Sequence, residues 1–149
     1  MEKNIIPIGA DHRGFALKTS FVTWLNTHGF EAKDLGAHSA ERCDALEFAK
    51  KMADEFNSNG PQFGVLICGT GQAMAMTANR YKKLRASLCT NAEMARLARE
   101  HNDANVLALG ADITLPDAAL QILEVFLKTQ FLGGRYAERR DKLTELDGL

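Results

Sequence analysis

The sequence has little of what a secreted, membrane-spanning or metal-dependent protein needs. Its three cysteines, Cys43, Cys68 and Cys89, are odd in number, widely spaced and without a CxxC pair, so they predict neither a disulfide framework nor a zinc site. No apolar run approaches the roughly 20 residues that span a bilayer. Segment 1–8 lacks the apolar core and cleavage site of a signal peptide. These absences predict a cytoplasmic protein with no membrane partner.

An excess of charge of one sign is also missing. The chain has 18 Lys and Arg residues against 19 Asp and Glu residues, a net charge of −1. That balance offers no basic field for nucleic acid or anionic lipid, so any anionic ligand must be bound by a local basic cluster. With 149 residues, 46% apolar and 25% charged, the composition predicts one globular domain over residues 1–149.

Short apolar runs alternate with helical patterns along the chain. The predicted strands cover residues 5–9, 30–35, 63–68, 86–89 and 106–110. The predicted helices cover about 14–28, 45–56, 72–79, a segment from 90 to 101 capped by Thr90 and Glu93, 114–131, and a final polar stretch at 135–146. This order predicts an α/β/α sandwich with a five-stranded parallel, Rossmann-like sheet and a C-terminal helix. Ligands of such sheets bind beyond the carboxyl ends of the strands.

Cys68 ends the third predicted strand and directly precedes Gly69-Thr70-Gly71 at the start of a helix. By position alone, a free cysteine more often packs as a small hydrophobe. At a helix start, however, unpaired N–H groups favour a thiolate and an oxyanion beside it. The turn lacks the third glycine of a dinucleotide fingerprint, because Met74 stands there, and it lacks the Lys of a P-loop. What remains is a backbone nest for an anion smaller than a nucleotide.

Other candidates also have two interpretations. Asp11 either caps the first helix or binds sugar hydroxyls, with His12 and Arg13 facing a phosphate. His101 is a lone histidine on an apolar helix face, which is more often a packing residue than a functional one. Arg135 and Arg139 lie one helical turn apart and form either a solvated, salt-bridged face or a grip on a phosphate dianion.

Six segments together resemble the family of ribose-5-phosphate isomerase B, which includes the galactose-6-phosphate and allose-6-phosphate isomerases. They occur in the family's order, cover nearly the whole chain and are highly specific as a set. The matching segments are Gly9–Phe15, Ser39–Asp44, Ile67–Gly71, Ala78–Asn79, Arg99–Leu107 and Gly133–Arg139.

The resemblance implies an aldose–ketose isomerase of the pentose phosphate pathway that converts ribose 5-phosphate to ribulose 5-phosphate through an enediolate, with no metal or other cofactor. Two alternatives stay open: isomerisation of a six-carbon sugar phosphate, such as allose or galactose 6-phosphate, and a non-catalytic phosphosugar-binding partner subunit. The resemblance also implies a homodimer, or a tetramer, whose active sites are shared between subunits.

The resemblance also implies a role for each site residue. Cys68 removes the C2 proton, and Thr70 and His101 help to open the sugar ring. The enediolate is held by backbone amides of Gly69, Gly71, Gln72 and Ala73. The sugar hydroxyls are bound by Asp11 and Asn102, and the phosphate by His12, Arg135 and Arg139.

Three features depart from the family pattern. Ala45-Leu46 replace a common Tyr-Pro, and Gln72-Ala73-Met74-Ala75 stand where the family often has Val/Leu-Gly-Ile-Ser, so the turn lacks a third glycine. Asp112 stands where an arginine that reaches the phosphate is common. Either phosphate binding is weaker here, or another cation, Arg13 or Arg42, compensates.

The position of His101 predicts that one chain cannot complete the site. Ten residues separate it from Asn91 along a helix expected to run antiparallel to the strands. At about 1.5 Å per residue this puts His101 about 15 Å away, on the side of the sheet opposite Cys68. A two-fold partner, packed on the apolar stripe beside His101, would bring the two groups together.

Overall fold

The structure is a computed structural model that describes residues 4–146, 148 and 149. Its strands are β1 (Asn4–Ala10), β2 (Phe30–Gly36), β3 (Gly64–Cys68), β4 (Ala86–Leu88) and β5 (Val106–Gly110). Its helices are α1 (Phe15–Thr27), α2 (Ala45–Ser58), α3 (Gln72–Ala78), α4 (Ala92–Asn102), α5 (Pro116–Lys128) and α6 (Arg135–Glu145). Within that part of the chain, no helix is both long and apolar enough to cross a membrane.

The strands form one parallel sheet in the order β2-β1-β3-β5-β4. The central strands β3 and β5 are buried along their whole length, which is why both read as unbroken apolar runs. Helices α1, α4 and α5 pack one apolar cluster against one face, and α2 and α3 pack a second cluster against the other. The predicted three-layer α/β/α sandwich is confirmed.

Several predicted helix boundaries are wrong. Helix α2 runs to Ser58 rather than 56, and α5 begins at Pro116 rather than 114. Helix α4 is capped by Asn91, not by Thr90: Asn91 has extended backbone, and its side-chain oxygen accepts from the Met94 amide at 2.8 Å. A short Asx side chain in that conformation satisfies a first-turn N–H, so the helix begins one residue later than a Thr90 cap would set it. Helix α5 ends at Lys128 rather than near 131, because Thr129 turns to extended backbone.

The edge strand β4 is closed by a side chain. The Asn79 amide donates to the Ala86 carbonyl at 2.9 Å and accepts from the Ala86 N–H at 2.8 Å. These are the bonds that a further strand would make with this residue. Asn79 therefore satisfies part of an otherwise open sheet edge.

Candidate active site

Cys68 lies at the carboxyl end of β3, with only 4% of its surface exposed. Gly71 caps α3 with φ 79°, and a Cβ there would lie 2.9 Å from the Leu109 carbonyl carbon. Both backbone and space therefore require glycine at this position. The Thr70 hydroxyl accepts from the Gln72 amide at 3.4 Å, and a Cβ on Gly110 would come within 2.5 Å of Thr70 backbone. The turn after Cys68 is thus pressed closely against β5.

Asp11 is buried beside this turn and holds the short turn that leads into α1. The predicted Asp11 cap of the first helix is wrong, because the N-cap of α1 is Gly14, which makes no side-chain capping bond. Its Oδ1 accepts from the backbone N–H groups of Arg13 at 3.0 Å and Gly14 at 3.1 Å. Its own N–H donates to the Ile67 carbonyl at 3.1 Å, which fixes it next to Cys68. Because both of these turn bonds use Oδ1, they are compatible with a sugar-hydroxyl contact through Oδ2.

His12 faces the loop between β2 and α2. Its Nδ1 accepts from the Cys43 backbone N–H at 3.3 Å. In the neutral ring this leaves the proton on Nε2, which can therefore donate to an anion. The ring and the loop residues Arg42, Cys43, Asp44 and Ala45 line an open hollow. His12 thus presents a hydrogen-bond donor at the carboxyl ends of the strands, the same end of the sheet at which Cys68 lies.

Arg13 forms an ion pair across the site. Its Nη1 lies 2.6 Å from Oδ2 of Asp112. A Cβ on Gly69 would lie 2.8 Å from Arg13 Cδ and 2.9 Å from Asp112 Oδ2, so the pair rests directly on the residue after Cys68. Of the two cations considered as replacements at the phosphate, Arg13 is therefore engaged by the aspartate itself, whereas Arg42 is exposed.

A second group of predicted site residues lies where α4 meets α6. The His101 ring stacks on the Tyr136 ring, with centroids 4.4 Å apart and planes 9° from parallel. Arg135 donates to the Tyr136 hydroxyl at 3.0 Å, and Arg139 donates to the His101 carbonyl at 3.0 Å. Asn102 ends the same helix as His101. The structure thus brings His101, Asn102, Arg135 and Arg139 together.

Sequence reasoning did not assign Tyr136 a role in this group. Tyr136 adjoins Arg135 within one of the matching segments, and that adjacency is the only sequence signal for it. Its stacking on His101 depends on how α6 packs against α4, which helical periodicity does not reveal.

The end of α4 is fixed by a cluster of arginines around Asp103. This residue has a left-handed backbone, φ 49°, and its carboxylate accepts from Arg99 and Arg140, each at 2.8 Å, with Arg85 3.6 Å away. Burial alone would raise the pKa of Asp103, but the hydrogen bonds from Arg140 and Arg99 outweigh it and hold that pKa below its ordinary value. Asp103 therefore stays ionised and joins α4, α6 and the segment before β4.

The Cys68 group and the His101 group lie at opposite ends of the strands. In the β3–β5 register, Gly64 pairs with Val106 and Cys68 pairs with Gly110. Helix α4 ends just before β5 begins, so His101 lies at the amino ends of the strands, level with Val106. Cys68 lies four residues further along the strands, at their carboxyl ends. That distance is about 13 Å along the sheet alone. One chain does not bring the Cys68 group and the His101 group together.

The remaining cysteines are separate from this chemistry. Burial raises the pKa of the Cys89 thiol, against a smaller opposing effect of its bond to Ser87, so Cys89 packs as a neutral core residue. Cys43 is half-buried behind His12. Across 4–146, 148 and 149, no three His, Cys, Asp or Glu side chains are grouped closely enough to hold a metal ion.

Known proteins match this chain along nearly its whole length. The family model described as Ribose/Galactose Isomerase matches residues 6–143. Ribose-5-phosphate isomerase B of Escherichia coli (strain K12) is 37% identical over 142 residues, which cover 95% of each chain. Ribose-5-P isomerase B of Listeria innocua is 36% identical over 142 residues, covering 95% of this chain and 96% of the relative.

Solved structures give the same result. A ribose 5-phosphate isomerase from Thermotoga maritima superposes with a TM-score of 0.93 and 41% identity, covering 97% of this chain and all of that one. Ribose-5-phosphate isomerase B from Mycoplasma genitalium, solved with bound ribulose-5-phosphate, has a TM-score of 0.89 and 38% identity, covering 94% and 93%. The chain therefore belongs to the ribose/galactose isomerase family.

Proposed function

We propose that this chain is an aldose–ketose isomerase that interconverts ribose 5-phosphate and ribulose 5-phosphate in the cytoplasm. The observation that carries the proposal is the end-to-end similarity to relatives named for that activity, one of them solved with ribulose-5-phosphate bound. Cys68, Asp11 and His101 occupy the positions expected from the family motifs. The smaller Ala45 favours a six-carbon substrate, but the relatives named above are ribose-5-phosphate isomerases and support this assignment over a six-carbon substrate or a non-catalytic partner subunit.

Cys68 is the proposed base. The reaction moves one proton between adjacent carbons, so a single base close to both is sufficient. The thiolate takes the proton from C2 of the open-chain aldose, and the released electron pair forms the C1–C2 double bond while O1 takes the negative charge. Transfer of the O2 proton to O1, and return of the carbon proton from Cys68 to C1, give the ketose and restore the thiolate. The net reaction has no oxidant or reductant and is proposed to use no metal.

The turn after Cys68 is the proposed cradle for the enediolate. The left-handed Gly71 and the close contact of the turn with β5 hold its backbone in one conformation. The N–H groups of Gly69, Gly71, Gln72 and Ala73 then supply fixed dipoles where negative charge develops. The Thr70 hydroxyl lies at the rim of this turn and is assigned, with His101, to opening of the sugar ring.

The proposed active unit is a homodimer, because Cys68 and His101 lie at opposite ends of the strands within one chain. In a two-fold dimer each site takes its base, amides, Asp11 and His12 from one subunit. The other subunit supplies His101, Asn102, Arg135 and Arg139 to open the ring and bind the phosphate. An isologous contact makes two equivalent sites of this kind.

The proposed activity is tested by assaying the purified protein on five- and six-carbon aldose phosphates with EDTA present. We expect turnover of ribose 5-phosphate that does not depend on a divalent metal. Cys68→Ser should keep the fold and lose most turnover, because a serine hydroxyl is a far weaker base near neutral pH.

Cys89→Ala is the matched control, since it removes the other buried strand-end cysteine and should leave turnover near wild type. Near-normal activity of Cys68→Ser would remove Cys68 from the mechanism. Activity restored only by adding metal to the chelated protein would contradict the amide-stabilised enediolate.

A further inference from the structure

Tyr136 contacts three of the side chains assigned to ring opening and phosphate binding, namely His101, Arg135 and Arg139. Its ring stacks on His101 at 4.4 Å between centroids. The guanidinium carbons of Arg135 and Arg139 lie 5.0 Å and 5.5 Å from the centre of the same ring. Its hydroxyl accepts from Arg135 at 3.0 Å. One aromatic side chain therefore joins an imidazole and two guanidiniums.

Helix α6 needs such a connection because none of its residues is buried. It follows Gly133 and Gly134, whose φ values of 72° and 56° are open to glycine but strained for other residues. An amphipathic helix normally takes its position from an apolar face packed on the core. Here the position of α6 depends on side-chain contacts with the end of α4, and the Tyr136–His101 stack is the aromatic part of them.

The electrostatics of the cluster suit a ring in this place. The π-face of a tyrosine attracts each guanidinium and fills the space between them without adding charge. A flat ring against His101 also removes the rotational freedom of the imidazole, so a group that must reach a substrate oxygen is held in one orientation.

We propose that Tyr136 is a positioning residue that holds His101, Arg135 and Arg139 in one arrangement for the sugar phosphate. The inference rests on the proposed isomerase function. It assigns to Tyr136 no contact with the reacting atoms.

Two substitutions separate the ring from the hydroxyl. Tyr136→Phe keeps the stack and removes only the oxygen that Arg135 contacts, so KM should rise by about threefold at unchanged kcat. Tyr136→Leu removes the stack and both cation–π contacts. We expect KM to rise about tenfold, because Arg135 and Arg139 are no longer held in position to bind the phosphate. We expect kcat to fall, because His101 is no longer held in one orientation.

A second readout does not depend on turnover. In a proton NMR spectrum, stacking on Tyr136 should shift the His101 ring protons upfield. Tyr136→Phe should retain that shift and Tyr136→Leu should abolish it. Inorganic phosphate, tested as an inhibitor, should bind less tightly to Tyr136→Leu than to wild type.

Tyr81→Phe is the control, since Tyr81 is a half-buried tyrosine away from this cluster, and it should leave KM, kcat and phosphate binding unchanged. Wild-type constants for Tyr136→Leu, alongside a raised KM for Arg135→Ala, would overturn the role of Tyr136 and leave the proposed function intact. Unchanged phosphate binding in both variants would instead contradict the assignment of α6 to the phosphate.

Discussion

At the scale of single residues, the Arg13–Asp112 pair sets the charge beside the turn that follows Cys68. Its side chains are 60% and 45% exposed, so the pair contributes little to stability. Its importance is electrostatic. It places a carboxylate and a neutralised guanidinium beside the turn that follows Cys68, where a dianionic substrate is proposed to bind.

Asp112→Asn is therefore expected to improve substrate binding. Without the carboxylate, Arg13 is free to attract the phosphate and one repulsive charge is gone. KM should fall by about two- to fivefold, the scale of one exposed charge, and the gain should shrink in high salt. Steady-state kinetics at low and high ionic strength measure it.

Two further variants test whether the lower KM of Asp112→Asn comes from Arg13. Adding Arg13→Gln to Asp112→Asn should cancel most of the gain, and Asp54→Asn, which removes an exposed carboxylate from α2, should change nothing. An unchanged or raised KM in Asp112→Asn would mean that Arg13 takes no part in binding.

At the scale of elements, the contact of α4 with α6 is sensitive to acid through Asp103. Arg140 and Arg99 depress the folded-state pKa of Asp103. A carboxylate of this kind stabilises the fold above its unfolded pKa of about 3.9, and that stability is lost as pH falls through the folded pKa. Asp103→Asn should therefore lower the free energy of unfolding at pH 7 by about 1–3 kcal/mol.

Urea unfolding at pH 7 and again near pH 3 measures the difference, which should be smaller in acid because the stabilisation declines below the unfolded pKa and is lost as pH falls through the lowered folded pKa. Asparagine tolerates the left-handed backbone, so the comparison reports charge rather than strain. Glu93→Gln, which removes an exposed carboxylate of the same helix, should have little effect at either pH. A loss of equal size at both pH values would show that Asp103 acts by shape and not by charge.

The elements themselves were largely predictable from the sequence. Unbroken apolar runs identify β3 and β5, and the repeat from Ala45 to Phe56 identifies α2, because burial on one or both faces is a local property of the pattern. The cap of α4 was misassigned because Thr90 and Asn91 both have cap chemistry, and backbone conformation decides between them. The Arg13–Asp112 pair spans 99 residues, and no local pattern reveals such a contact.

The site was predictable to the same extent. The strand-end position of Cys68 and the one-turn spacing of Arg135 and Arg139 are local signals. The grouping of those arginines around Tyr136 depends on helix packing. The separation of Cys68 from His101 follows from topology alone. A helix that connects two parallel strands starts near the carboxyl end of the first and must end near the amino end of the second.

At the scale of the whole molecule, the proposed shared site predicts complementation. Cys68→Ser and His101→Ala should each be inactive as homodimers. In a heterodimer one of the two sites contains intact copies of both residues, so an equimolar, randomly mixed sample should recover about one quarter of wild-type activity. Activity assays on co-refolded protein, with heterodimers verified by mass, measure this recovery.

Mixing Cys68→Ser with Cys68→Ala is the control and should recover nothing, because no site then has an intact base. A fully active monomer, or verified heterodimers without any activity, would show that each chain builds its own site.

The Asn79 amide has a consequence for how the protein ages in storage. Hydrolysis of that amide to a carboxylate replaces the N–H group that meets the Ala86 carbonyl with an oxygen, so two acceptors face each other and the contact breaks. Ala86 would then present unpaired backbone at the rim of the sheet, where another chain can add in register. Slow deamidation at one position would thereby remove the protection that Asn79 gives to this part of the sheet edge.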